Sequence, residues 1–167
     1  MRSDTGSDLK AATVVFMKKA YTMASISRLG QYRLLTDQPL SDAQGNLVIA
    51  SNNRIRKISP AGVTTEFGLA GPPGAVDGPG DTARFSEISG LAFDPAGNIY
   101  VSDKDNHTIR KISPAGIVST VVGKLGSWGI ALGDLPGSLY KPNGLAFDKD
   151  GMLYISSGDA ILKVKLP

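Results

Sequence analysis

One histidine, one tryptophan and no cysteine bound the chemistry open to this chain. Without cysteine there is no disulfide, no thiolate metal site and no thiol nucleophile. His107 is the only imidazole, and even two copies of the chain fall short of the three nitrogens of a histidine-ligated catalytic zinc. Neither a Gly-x-Ser-x-Gly elbow nor a phosphate-binding loop occurs. Oxygen ligands alone suffice for a calcium-type ion, which leaves that chemistry open. Asp77 and Asp81, in Val76-Asp-Gly-Pro-Gly-Asp81, have the look of such a loop. The plainer expectation is an Asp-Gly turn with side-chain-to-backbone hydrogen bonds. No catalytic residue, metal ligand or cofactor is assigned.

The remaining candidates are residues for binding. His107 ends the segment Asp103-Lys-Asp-Asn-His107, where Asp103 and Asn106 are expected to hold a turn by local hydrogen bonds. His107 itself reads as a structural donor rather than a base or a ligand. Trp128 lies in Gly126-Ser-Trp-Gly129. A tryptophan in a glycine loop is either an exposed anchor or a cap on the end of the core. Tyr140 and Lys141 close the same loop, and Tyr140 is expected to pack as Phe85 does. Trp128, Tyr140, Lys141, Lys104, Asp105 and His107 make up the candidate binding set.

These residues must be positioned by short strands. Twenty glycines and ten prolines in 167 residues punctuate the chain with turns. The strongest signal is internal repetition. Gly45-Asn-Leu-Val-Ile-Ala-Ser51 recurs as Gly97-Asn-Ile-Tyr-Val-Ser-Asp103 and as Gly151-Met-Leu-Tyr-Ile-Ser-Ser157. Arg54-Ile-Arg-Lys-Ile-Ser-Pro-Ala-Gly62 recurs almost unchanged from Thr108 to Gly116, and more weakly at Ala160–Lys165. Each unit reads as four strands: a (Leu91–Asp94, Leu145–Asp148), b (Ile99–Ser102), c (Ile109–Ile112) and d (Val118–Val122, Val63–Phe67). Asp-x-x-Gly turns join a to b, and Ser-Pro-Ala-Gly turns join c to d. Arg56-Lys57 and Arg110-Lys111 recur on strand c. Adjacent strand residues point to opposite faces, so these pairs suggest a structural role between sheets rather than one basic site.

The run Asp77-Gly-Pro-Gly-Asp-Thr-Ala-Arg-Phe-Ser86, with Gly90-Leu-Ala-Phe-Asp94, Gly97–Asp103, Asn106-His-Thr-Ile-Arg-Lys111 and Gly116–Thr120, closely resembles bacterial NHL repeats. The likeness covers roughly residues 40–167, with one full unit at 77–123. The first unit lacks two residues of the b–c turn and has Pro39-Leu-Ser41 for Leu-Ala-Phe; the last lacks the Asn-His pair. The resemblance implies an all-β protein, a β-propeller of four-stranded antiparallel blades with repeats at about 36–68, 89–123 and 143–167. Three blades per chain make half of a six-bladed ring or a fragment of a larger propeller.

Residues 1–11 are expected to be a disordered or extended tail and 12–167 the propeller portion. Ala12-Thr-Val-Val15 matches Ser119-Thr-Val-Val122, so residues 12–16 read as a strand d that completes the last blade of the same chain or of a second copy. That favours a homodimer closing a six-bladed ring. Residues 17–39 read as a diverged d–a connection, with a short amphipathic helix as the other reading.

Propeller topology puts the d–a connections and b–c turns on one face, where long loops on a rigid scaffold carry binding. The leading expectation is therefore a binding or interaction module on that face, with protein or a second copy as partner and a small molecule or carbohydrate also open. The resemblance also admits a propeller enzyme of lactonase or lyase type with an oxygen-ligated metal. It admits RNA binding too. Residues 1–60 hold nine Lys and Arg against four Asp and Glu, and Lys18, Lys19, Arg28 and Arg33 interleave with Tyr21 and Tyr32. Nucleic acid is the less favoured partner. No apolar run approaches the roughly 20 residues of a membrane span, and no signal peptide is expected.

Overall fold

The structure, a computed structural model, describes residues 40–51 and 53–167, and every regular element in it is a strand. The expected strand at 12–16, the connection at 17–39 and the basic cluster at 18–33 lie outside the described residues. Three antiparallel sheets correspond to the three repeats. Blade 1 orders β1 (Leu40–Ser41), β2 (Leu47–Ser51), β3 (Arg54–Ile58) and β4 (Thr64–Phe67). Blade 2 contains β6 (Ile88–Phe93), β7 (Ile99–Asp103), β8 (Thr108–Ile112) and β9 (Ile117–Val122), plus an unanticipated outer strand, β5 (Gly78–Pro79), paired to β9. Blade 3 comprises β10 (Pro142–Phe147), β11 (Leu153–Ser157) and β12 (Ala160–Val164).

The turn chemistry read from the sequence is present. Asp42, Asp94 and Asp148 each accept, through Oδ1, the amide of the residue four positions on, at 2.8, 2.9 and 2.9 Å. Gly45, Gly97 and Gly151 take φ of 77°, 81° and 77° in those turns, a conformation that costs glycine little. Ser59 and Ser113 hold the c–d turns in the same way, accepting from the amides of Val63 and Ile117.

The pleat then builds two cores. In blade 2, Ile99, Val101 and Ile112 pack with Val48, Ala50 and Ile55 of blade 1. Tyr100 and Ile109 point the other way, into a second core with Leu139, Leu153 and Ile155. The Tyr100 ring meets Phe147 edge-on, with centroids 4.9 Å apart. Both faces of blade 2 are thus covered, and all five residues of β7 are buried.

Of the recurrent strand-c cations, Arg56, Lys57 and Lys163 work within their own blades rather than between them, whereas Arg110 reaches the connection from blade 1 into blade 2. Arg56 pairs with Glu66, Lys57 with Asp42 and Lys163 with Asp148, each inside one sheet. Partners across a strand pair or at the adjacent turn lie closer than those of the next sheet.

Candidate functional site

The loop face of blade 2 is organised around a buried ion pair. Arg110 has no exposed surface, and neither has Asp103. Arg110 Nη1 donates to Asp103 Oδ2 at 2.8 Å and to the Arg84 carbonyl at 3.0 Å. Its Nη2 donates to the Val76 carbonyl at 2.8 Å and to Asp77 Oδ1 at 2.5 Å. Asp103 also accepts from the Ser86 amide at 2.7 Å and from Asn106 Nδ2 at 2.8 Å. Burial pushes the Asp103 carboxyl above the usual carboxylate range, against the pull of Asn106, the Ser86 amide and Arg110. Local bonding of Asp103 and Asn106 is as expected. Asp77 is not: it serves Arg110 and the Thr120 amide and hydroxyl across the blade, rather than its own turn. Strand c carries a buried guanidinium that needs a second carboxylate, and this overrides the local turn bond.

His107 follows this network. Its backbone is left-handed, with φ of 59°, and its side chain is only 8% exposed. The ring is an acceptor, not the expected donor: Nδ1 receives the Lys141 amide at 3.0 Å. This assigns the ring hydrogen to Nε2. The imidazole is near-parallel to Trp128 (5.8 Å, 27°) and to Tyr140 (5.6 Å, 19°). Trp128 is nonetheless 78% exposed. Leu139, not Tyr140, fills the place of Phe85. Leu139 and Phe85 are both buried, while Ser86 and Tyr140 donate their amides to the equivalent residues Asp103 and Ser157. That one-residue offset turns Tyr140 out toward His107.

Four of the candidate residues therefore converge: His107, Trp128, Tyr140 and Lys141. Lys104 and Asp105 belong to the same turn but bond toward the preceding loop. Their amides bind the carbonyls of Glu87 and Ser86, and Lys104 Nζ meets Glu87 Oε1 at 2.6 Å. That contact holds the Glu87 carboxyl below its ordinary range, and Lys141 adds to the effect.

The sequence reading missed the apolar character of the loop around Trp128. Leu125 and Leu132 are 60% and 81% exposed, and Ile130 and Leu135 of the same loop are also exposed. The available signal was four large aliphatics in a glycine-punctuated segment without strand periodicity. Ala131 and Ser138 bridge to make this loop a small hairpin. Among the described residues, no three His, Cys, Asp or Glu side chains converge on a metal position.

Residues 85–112 match the NHL repeat family. No curated protein matches the chain. Among solved structures it is similar to a structural genomics protein of unknown function from Bacteroides thetaiotaomicron VPI-5482. That match has 29% identity and a TM-score of 0.64, covering 71% of this chain and 32% of that one. It is also similar to an auxiliary nutrient binding protein from Bacteroides ovatus ATCC 8483. There the identity is 25% and the TM-score 0.62, covering 76% of this chain and 37% of that one. A streptogramin B lyase, at 19% identity and a TM-score of 0.54, covered over 77% and 38%, shares the fold. The chain spans about a third of the length of the first relatives it matches, at 32% and 37%. The chain is built of β-propeller blades, and residues 85–112 of its second blade match the NHL repeat.

Proposed function

We propose that the chain is a binding scaffold that docks a protein partner on its loop face, with Trp128 as the anchor. The observation that carries this is an exposed indole stacked on a fixed imidazole, in a loop that also exposes Leu125, Ile130, Leu132 and Leu135. Aromatic anchors at the centre of an apolar patch dominate protein interfaces, and contiguous apolar surface on a loop face marks such sites. Lys124, Asp134 and Lys141 supply a charged rim. The likeness to an auxiliary nutrient binding protein supports binding over catalysis.

The test is affinity capture with the wild-type chain, identification of the retained protein, and titration of that purified protein against a Trp128→Ala, Leu132→Asp variant. The expected loss is at least about tenfold in Kd, or about 1.4 kcal/mol. Equal affinities for the two chains would remove the proposal.

A second reading, self-association, has its own observation. The blade 2 face that blade 3 covers contains Gly90, Ala92, Tyr100 and Ile109, all buried. The same register on the outer face of blade 3 holds Gly144, Ala146, Tyr154 and Ile161, and Ile161 is 76% exposed. A second copy docked there would bury it and serve the homodimeric ring. Light scattering should then give about twice the 17.5 kDa chain mass, and about one chain mass for Ile161→Glu. A monomeric wild type rules this reading out.

A further inference from the structure

Two latches join successive blades at the same register, and they differ in one chemical respect. In the first, Asn53 Oδ1 accepts the Glu87 amide at 3.0 Å. In the second, His107 Nδ1 accepts the Lys141 amide at 3.0 Å. Asn53 and His107 each precede a third strand, β3 or β8. Glu87 and Lys141 each precede a first strand and are left-handed, with φ of 55° and 45°. A Cβ at Gly68 would meet the Asn53 carbonyl at 2.6 Å, and one at Gly123 would meet the His107 carbonyl at 2.3 Å. The two sites therefore share a left-handed donor residue and a glycine packed on the acceptor's carbonyl.

An amide oxygen accepts at any pH, whereas an imidazole nitrogen accepts only while it lacks a proton. We infer that His107 makes the seating of loop 124–141 on blade 2 pH-sensitive, so that its protonation breaks the Lys141 latch and releases Trp128 and Tyr140. Flipping the ring does not rescue the bond, because both nitrogens of an imidazolium are donors. Lys141 then holds a left-handed backbone without its tether, a conformation unfavourable outside glycine. The charged groups around the ring divide. Lys104 and Asp105 lie on its own turn, with Lys104 engaged by Glu87. Lys141 comes from the facing loop, and its charge acts on Glu87. The Trp128 and Tyr140 faces favour a cation by about 0.5–1 kcal/mol at exposed sites. That gain is smaller than the loss when a bonded donor–acceptor pair becomes two opposed donors, about 1–3 kcal/mol.

The consequence for partner docking rests on the function proposed above, but the latch itself does not. The experiment uses the full chain, whose single tryptophan reports directly. Trp128 emission and the Lys141 amide NMR shift are followed from about pH 8 to about pH 5, the range over which histidines change charge. A one-proton transition is expected in both, coincident with the His107 ring signals. His107→Asn copies the first latch and should abolish the emission transition while the chain stays folded. Asn53→His should confer a transition on the Glu87 amide. Persistence of the Trp128 transition in His107→Asn overturns the inference, as does a Lys141 amide that stays fixed while the wild-type His107 ring titrates. If the transition is present but no partner binds at any pH, only the docking proposal fails. If a partner binds equally across the range with no transition, only the latch fails.

Discussion

The connections 69–87 and 124–141 occupy the same topological place, each carrying the chain from one blade into the next, yet one is tied down and the other is displayed. The first is held by Arg110, whose guanidinium reaches Val76, Asp77 and Arg84, and by β5 pairing on β9. Its Ala83 and Phe85 are buried. The second meets a blade in which Ser157 and Leu162 stand where blade 2 has Asp103 and Arg110. Ser157 Oγ bonds the Tyr140 backbone, and the loop shows Leu125, Trp128 and Leu132 to solvent. A single buried ion pair thus separates a structural loop from one free to carry an interaction surface.

The sharpest way to break this comparison is to remove the tie. Asp103→Ala leaves Arg110 buried and short of a carboxylate, and should cost about 3–5 kcal/mol in urea unfolding at fixed protein concentration. Asp103→Ser with Arg110→Leu transplants the blade 3 pair into blade 2. It should recover most of that loss, because a matched uncharged pair carries no stranded charge. It should also speed hydrogen exchange at the amides of residues 74–86. A double variant as unstable as the single would show that something other than charge burial holds the loop. Arg56→Ala, at the same strand position in blade 1, faces Glu66 at the surface and should cost less than about 1 kcal/mol.

The next effect concerns the sheets beneath the loops. A Cβ on Gly90 would sit 2.0 Å from the Asn143 carbonyl oxygen, whereas on Gly144 it would meet only Ser156 Oγ, at 3.3 Å. Gly90→Ala should therefore cost about 1–3 kcal/mol. Gly144→Ala should stay within about 0.5 kcal/mol for the chain alone. A larger penalty at Gly144 that grows with protein concentration would sharpen the comparison, since only a docked second copy makes that face crowded.

How much of this was legible in the sequence follows from the range of the forces involved. The Asp-x-x-Gly and Ser-Pro-Ala-Gly turns act within four residues, so residue types and spacing disclosed them, and the internal repetition disclosed the strands. The partners of Arg110 could not be read this way. Asp77 is 33 residues away from it, and only the folded sheet brings them together. The same holds for His107, 34 residues from the amide it accepts. Its role as acceptor is set by the backbone of Lys141, which no local pattern announces. The misplacement of Tyr140 came from aligning aromatic with aromatic, when the core position tolerated the exchange of Phe85 for Leu139.

Trp128→Ala tests the displayed loop without disturbing the tied one. With most of the indole in water, the stability change should stay within about 1 kcal/mol, chiefly the lost stacking on His107, while partner affinity falls. A large stability loss would mean that Trp128 caps the core.

The smallest effect lies where the two loops meet. The Lys104 bond holds the Glu87 carboxyl below its ordinary value. A carboxyl depressed in the folded state stabilises the fold above its unfolded value and loses that contribution as pH falls through the folded one. Both side chains are open to solvent, so the contribution belongs with surface pairs, about 0–1 kcal/mol, and shrinks in salt. Glu87→Gln should flatten the acid side of the stability profile slightly and leave the His107 transition in place. The Glu87 amide, which latches the blades, survives the substitution, and only the carboxylate is lost. If Glu87→Gln instead shifted the Trp128 transition strongly, the two loops would be electrostatically coupled through Lys141, and the separation drawn between them would have to be narrowed.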